Sequence, residues 1–409
     1  MSDCVTQVVE AGLCTGCGLC ENLFGAGQVQ MQMAASGYLR PVVLVPLSKS
    51  PQAASQQAEF ERTCPGRGLR LEPEQDVPVH EAWGPLKSVS TGWATDPATR
   101  YQGSSGGVLS ALLADLLESG QADFVAHIEA DAQHPLRNQL RLSRNRAEVL
   151  QGAGSRYGPS APLKQLDALF ATGQRFAFVG KPCDAAALRA HLREHPQRAA
   201  QVVGIFAFMC AGVPSEHGSV ALLQRLGTQL DQVARFSYRG NGWPGMATAT
   251  GFDGAKHEMD YSSSWGQVLN RHLQFRCKVC PDGTGEFADV VCADAWYGAD
   301  GYPEFAERDG RSLILARTAR GQELLQSALT RGGIESAPCD AAEIAKMQPY
   351  QLARKRLLAG RLLALALAGR QRPRYQGLRL WANAKRLGLV EHLRNIKGTL
   401  ARLPGSGGI

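Results

Sequence analysis

Apolar positions along this chain change their period several times. Residues 1–75 are Gly-rich, carry a short apolar strand signal at Leu39–Pro46, and run through a Gln/Ala/Ser stretch at 48–57 to Cys64–Pro65. From about residue 85 strand and helix signals alternate. Val108–Leu117 has apolar residues at helical spacing directly behind Gly106–Gly107, and Ala185–Leu192 and Gly321–Leu329 also read as helices. Phe124–Ile128, Phe176–Val179, Val202–Phe208 and Leu313–Ala316 are short uninterrupted apolar runs, the pattern of buried strands. Residues 236–300, rich in Gly, Trp, Tyr and Cys, read as site-building loops. Beyond about 350 the pattern is helical and basic, broken at Pro373. The order predicts a mixed α/β protein: a small ferredoxin-like cysteine segment (1–75), two α/β units (76–170 and 171–350) and a basic helical tail (351–409).

Composition narrows this reading. With 409 residues, 44% apolar and 20% charged, the chain is long enough for several domains and falls in the globular range. The longest apolar runs, Val202–Val213 and Leu357–Ala368, fall short of the roughly 18 residues of a membrane span, and Gly360 and Arg361 break the second. The first residues lack a basic patch followed by an apolar core, so a cytoplasmic protein is expected. Residues 351–409 hold thirteen Lys/Arg and one acid, Glu391, while the whole chain carries only +7. The rest is therefore mildly acidic, which argues against a nucleic-acid binder. The tail could lie on an anionic membrane face, dock an acidic donor such as ferredoxin, or form a solvated helix pair.

Eleven cysteines in a chain expected to stay reduced point to metal binding before disulfides. Cys14-Thr-Gly-Cys17-Gly-Leu-Cys20 has C-x2-C-x2-C spacing, which aims three thiolates at three irons of one cubane, and Cys64-Pro65 supplies the distant fourth. Zinc favours pairs of C-x2-C, so a 4Fe-4S cluster is the better reading. Cys183, Cys210, Cys277 and Cys280 are dispersed over three segments. From spacing alone they could close a second cubane, or be two buried thiols and half a zinc site. Cys4, Cys292 and Cys339 have no partner by spacing; Cys4 reads as a surface thiol and Cys292 as core.

Three loops have the makings of a flavin site. Gln102–Gly107 puts Ser104, Ser105, Gly106 and Gly107 ahead of a helix, where backbone N–H groups face an anion; a tight turn with a serine cap is the plainer alternative. Gly154-Ser155-Arg156-Tyr157 and the 238–245 loop, with Arg239, Gly240 and Asn241, offer a guanidinium, an aromatic ring and glycines, as an ordinary loop also can.

Read in order, CTGCGLC (14–20), TCPG (63–66), SSGGVLSALL (104–113), GSRY (154–157), FVGKPCDAAALR (178–189), FMCAGVPS (208–215), YRGNGWPG (238–245) and RCKVCPDGTGEFADVVCADAW (276–296) resemble the coenzyme F420 hydrogenase/dehydrogenase beta-subunit family of iron–sulfur flavoproteins, in its bacterial branch. The match spans roughly residues 10–320. Cys292 and Ala293 depart from it, standing where a non-cysteine and a glycine are expected. The resemblance implies FAD and one or two 4Fe-4S clusters, the second on Cys183, Cys210, Cys277 and Cys280, with Lys181 and the three loops as FAD contacts. Relatives include ferredoxin-linked reductases of chlorophyll intermediates, so the implied chemistry relays electrons from ferredoxin or reduced coenzyme F420 to FAD and on to a small organic acceptor. Tyr157, Tyr238, Tyr261 and His272 are candidate proton donors by location. A non-catalytic electron-transfer subunit is the alternative, and a zinc-stabilised binding protein a third reading.

Overall fold

The computed structural model describes residues 3–298 and 303–403. Its centre is an eight-stranded mixed sheet. Strands Phe124–Ala130, Phe176–Gly180, Val202–Phe208 and Val290–Asp294 lie side by side and parallel. Antiparallel strands flank them: Asn138–Ser143 on one side, and Ser312–Ala316, Ser88–Ala94 and Ile334–Pro338 on the other. Alternation along the strands sends Phe124, Phe176, Phe178, Ile205 and Val291 to one face. Val125, Ala177, Val203, Phe206 and Val290 go to the other. Helices Val108–Glu118 and Ala319–Thr330 cover the second face, and Pro182–Glu194 and Leu166–Ala171 the first. Burial on both sides is why these strands read as unbroken apolar runs.

Two regions differ from the sequence expectation. Residues 236–300 are not loops throughout. Val233–Ser237, Ala247–Gly251 and Lys256–Met259 form a three-stranded antiparallel sheet. These strands bury only Val233, Phe236, Ala247 and Ala249, too few positions for a legible period. The Gln/Ala/Ser stretch at 48–57 runs into the helix Ala53–Thr63, whose end carries Cys64.

The basic C-terminal segment is helical as expected, and it is also built into the molecule. Helix Pro349–Leu367 buries Gln351, Lys355, Leu358, Gly360, Ala364 and Leu365. Leu358 and Leu365 join Val5, Val8, Cys14, Cys20 and Val279 in one apolar cluster. Strand Arg374–Gln376 pairs in parallel with Gly68–Arg70, so the end of the chain closes on its beginning. Among the described residues no helix is long and apolar enough to cross a membrane.

Candidate functional site: two cysteine centres and a cavity

Cys14, Cys17, Cys20 and Cys64 line one small hollow, walled by Val5, Val8, Leu23, Met31, Pro41 and Phe60. Gly18 shapes its entrance: it is left-handed (φ +87°), and a Cβ there would sit 2.9 Å from the Lys164 backbone nitrogen. Burial raises the Cys17 thiol to about 12 and pushes Cys20 and Cys64 up as well; the neighbouring cysteines add to the latter two. Thiols so buried become thiolates only when a metal takes the proton's place.

Cys183, Cys210, Cys277 and Cys280 come together from separate elements. Cys183 follows the parallel strand Phe176–Gly180 in the first turn of the helix Pro182–Glu194, and Cys210 follows Val202–Phe208. Cys277 lies in the short helix Phe275–Lys278, three residues before Cys280. Burial is the largest cause raising Cys183, Cys210 (to about 12) and Cys280, and mutual proximity adds to it: Cys210 feels Cys277 and Cys280, and Cys183 feels Cys210 and Cys280. The Val213 N–H donates to Cys277 Sγ at 3.4 Å.

The C-terminal segment clamps this second group. Arg354 donates to the carbonyls of Cys210 (3.0 Å) and Cys277 (2.8 Å), Gln351 to that of Cys210 (3.2 Å), Arg361 to Lys278 O (2.7 Å) and Tyr375 to Val279 O (2.7 Å). Lys355 and Arg379 both pair with the buried carboxylate of Glu286. Arg276, also buried, donates to Pro65 O (2.9 Å), beside Cys64, and its charge lies near Cys280, Cys183 and Cys277. The Gln274 amide lies 3.5 Å from both Thr15 O and Cys277 Sγ. Gln274 and Arg276 thus touch both cysteine groups.

Neither group closes tightly enough for a single ion. Four thiolates around one zinc at 2.3 Å would lie about 3.8 Å apart. Among the described residues the trio of ligand atoms drawn within 4.8 Å of one another is Glu59, His191 and His195. That trio is a hydrogen-bonded bracket: Glu59 Oε1 lies 3.1 Å from His191 Nδ1 and 2.8 Å from His195 Nε2. Arg198, which can only donate, meets His191 Nε2 at 3.0 Å, so the imidazole proton sits on Nδ1 and faces Glu59 rather than a metal. The wider cysteine spacing and the all-thiolate donor sets fit cubane clusters.

Cys210 also borders the main cavity, of about 240 Å³, which lies at the carboxyl ends of the parallel strands. Tyr157, Tyr261, Trp265 and Tyr350 contribute aromatic rings to its lining, and Tyr157 and Trp265 pack at a 51° tilt with centroids 4.7 Å apart. Lys181 Nζ donates to Ser160 Oγ and to Asp184 Oδ2, both at 2.7 Å. Asp184 Oδ1 and Ser104 Oγ are buried on this cavity's lining residues without a hydrogen-bond partner. Two orphaned polar atoms beside an aromatic wall fit a polar ring system. The volume is below the about 300–1,000 Å³ of pockets that engulf a whole ligand, so it suits the head of a flavin rather than an entire dinucleotide. His127 lines the cavity as a neutral ring: burial pushes its imidazole down to about 4.

The loop candidates separate into those that face the cavity with a group to offer and those that do not. Ser104, Ser105, Gly107, Ser155, Arg156, Tyr157, Lys181 and Arg239 are in its lining; Gly106, Gly240 and Asn241 are not. Ser105 Oγ lies 3.1 Å from both Ala293 O and Arg311 O, stitching the turn to the sheet. The helix cap there is Gly107, with no side-chain cap, in place of the serine cap weighed above. The Arg156 guanidinium is committed to Asn138 Oδ1 and the carbonyls of Pro135, Arg137 and Phe236. Arg239 is paired through two bonds (2.8 and 2.6 Å) with Asp294. Both arginines therefore hold loops in place, and neither presents an uncommitted fork to a phosphate. Of the proton-donor candidates, Tyr157 and Tyr261 face the cavity, and burial pushes the Tyr261 phenol well up. Tyr238 is instead core, its hydroxyl 2.6 Å from Ser219 Oγ, and His272 lies outside the lining. Cys292 is buried core that also reaches the lining; Cys4 is half-buried. Asp184, His127, Asp294 and Gln348 were not singled out by spacing; Asp184 alone had a signal, one residue after Cys183.

Fold and site together define a class. Residues 89–167 match the family model for the coenzyme F420 hydrogenase/dehydrogenase beta subunit N-terminus, and residues 173–342 that for its C-terminus. The chain belongs to this family. It is similar to the coenzyme F420-dependent sulfite reductase of Methanocaldococcus jannaschii, with 24% identity over 271 residues, 62% of this chain but only 38% of that protein. It is also similar to the coenzyme F420 hydrogenase subunit beta of Methanosarcina barkeri, with 22% identity over 263 residues, 60% of this chain and 80% of that one. A chain in the structure of the F420-reducing NiFe hydrogenase complex of Methanosarcina barkeri shares the fold, with TM-score 0.53, 18% identity, 72% of this chain and 96% of that chain covered.

Proposed function

We propose that this protein is an iron–sulfur flavoprotein oxidoreductase that relays electrons between a low-potential donor, ferredoxin or reduced coenzyme F420, and an organic acceptor bound at the main cavity. The observation that carries the proposal is the arrangement of eight cysteines in two groups of four, the second bordering the cavity through Cys210. In this reading Cys14, Cys17, Cys20 and Cys64 hold one 4Fe-4S cluster, and Cys183, Cys210, Cys277 and Cys280 the other. Two clusters and FAD, when bound, would supply the conversion of single electrons into two-electron hydride chemistry.

The chain's own residues then have definite tasks. Ser104 and Asp184 offer the unpaired polar atoms that fix a ring at the cavity. Asp184 is positioned by Lys181, and burial raises its carboxyl so that it holds a proton more readily than an exposed aspartate. Tyr157 and Tyr261 face the same space as hydrogen-bond donors to an acceptor. Arg239, locked on Asp294, fixes the 238–245 loop at the cavity's edge.

Iron, sulfide and flavin quantified on one anaerobically purified sample test the reading: about eight irons, eight sulfides and one FAD are expected. A colourless, zinc-bearing protein overturns it. The family's hydrogenase subunits favour a second reading, an electron-transfer subunit of a larger complex. Turnover of an acceptor by the purified chain with a chemical reductant decides between the two.

A further inference from the structure

The C-terminal segment has two faces, and only the inner one is accounted for by the second cysteine group. Its outer face gathers large exposed apolar side chains: Trp381 (77% exposed), Leu389 (74%), Val390, Leu393, Leu363 and Leu367. Apart from Phe252, no large apolar side chain among the described residues is more exposed than Trp381, Leu389, Val390 and Leu367.

Three of them, Leu389, Val390 and Leu393, lie on the last helix, Leu389–Leu400. At 100° per residue, Leu389, Leu393 and Leu400 of this helix fall within about 40° of one another. A different side is anchored to the protein: Asn395 donates to Leu357 O and His392 Nε2 lies against Ala384 O, both at 2.9 Å. Asn395 also lies against Gly360 and accepts from the Arg361 guanidinium, so the two helices touch around Gly360.

Charge selects the occupant. Arg372, Lys385, Arg394, Lys397 and Arg402 are all exposed on this segment. Its one acid, Glu391, accepts from the Gly388 N–H at its own helix start. A second copy would bring the same cations against these, and a neutral protein groove would leave them unmatched. An apolar crest with a tryptophan, bordered by Lys and Arg, matches the boundary between anionic headgroups and acyl chains.

We infer that this outer face is a docking surface for an anionic lipid bilayer, on which the protein rests without spanning it. The inference is independent of the redox reading, and vesicle binding tests it without any enzymatic assay. The purified full chain is sedimented with vesicles of phosphatidylcholine alone and with vesicles that also contain phosphatidylglycerol, across a salt series. Binding to the anionic vesicles only, falling with salt, is expected. Lys385→Gln or Lys397→Gln should each weaken the partition about fivefold. The pair Leu389→Gln and Leu393→Gln should weaken it more than tenfold. All four sites are exposed, so an unchanged thermal midpoint certifies the fold of each variant. Failure of the unaltered chain to bind anionic vesicles overturns the inference, as does binding that survives the leucine pair. Self-association or retention on immobilised ferredoxin that the leucine pair abolishes, with no vesicle binding, would instead assign the face to a protein partner.

Discussion

The two cysteine groups solve the same geometric problem by different means. The first takes three ligands from seven consecutive residues and seats them among Val5, Val8, Met31 and Phe60. The second takes its four from three regions of the chain and sets charges of both signs around them: burial is the largest effect, Arg276 and Arg354 lower the Cys280 thiol against Asp282, and at Cys183 Asp184 raises the thiol more than Lys181 lowers it. A short motif carries its geometry wherever it goes, whereas a dispersed one exists only when the whole fold, C-terminal segment included, is in place. The charge of the two arginines also has a direction. Positive neighbours favour the more reduced, more negative state of a cluster. In the proposed reading Arg276 and Arg354 therefore draw electrons toward the second centre, next to the cavity, and Asp184 and Asp282 oppose them.

The comparison breaks most severely at Glu286. This buried carboxylate holds Lys355 and Arg379, and Glu286→Ala takes away the carboxylate both are paired with, leaving Asp282 as the acid near them; a loss of about 3 kcal/mol in denaturant unfolding is expected. Cys17→Ser and Cys280→Ser should each remove about four irons and leave the other centre's electron paramagnetic resonance signal in place. If either change empties both centres, they are one cooperative unit. A finer test is Arg354→Leu, which removes one cation near Cys210 and Cys280. The midpoint potential of the second centre should fall by about 50 mV, the scale of about 1 kcal/mol, while the first stays put.

The smallest effect belongs to Glu59, on the helix that ends at Cys64, which grips His191 and His195 on the helix that carries Cys183. Burial works to raise its carboxyl, but the hydrogen bonds from the two histidines outweigh burial and leave it lowered. A depressed carboxylate stabilises the fold above its unfolded pKa, about 4.3, and that contribution disappears as pH falls through the folded value. Glu59→Gln should cost about 1 kcal/mol at neutral pH and flatten the acid limb of the stability curve, with iron content unchanged at both centres.

This contrast also governs what could be read in advance. The parallel strands were legible because burial on both faces leaves unbroken apolar runs, and the first cysteine group because its spacing is local. The second group rested on the resemblance, since Cys183, Cys210 and Cys277 are brought together only by the sheet. The clamp had no local signal at all: Arg354 and Arg379 look like any tail cations until the fold sets the first beside Cys210 and Cys277 and the second beside Glu286. The same limit applies to Arg156 and Arg239. Sequence shows a guanidinium near glycines, but only the folded chain shows that Asn138, Asp294 and backbone carbonyls have claimed it.

The pairing of Arg374–Gln376 with Gly68–Arg70 carries a consequence for biogenesis. During synthesis Cys14, Cys17, Cys20 and Cys64 emerge early, but the strand that covers their segment and the helix that clamps Cys210 and Cys277 emerge last. Closing a loop of some three hundred residues costs little more entropy than closing a shorter one, but it cannot precede the ribosome. A nascent chain therefore exposes Cys14, Cys17, Cys20 and Cys64 to oxidants for most of its translation, and in the proposed reading cluster delivery to the second centre belongs after release.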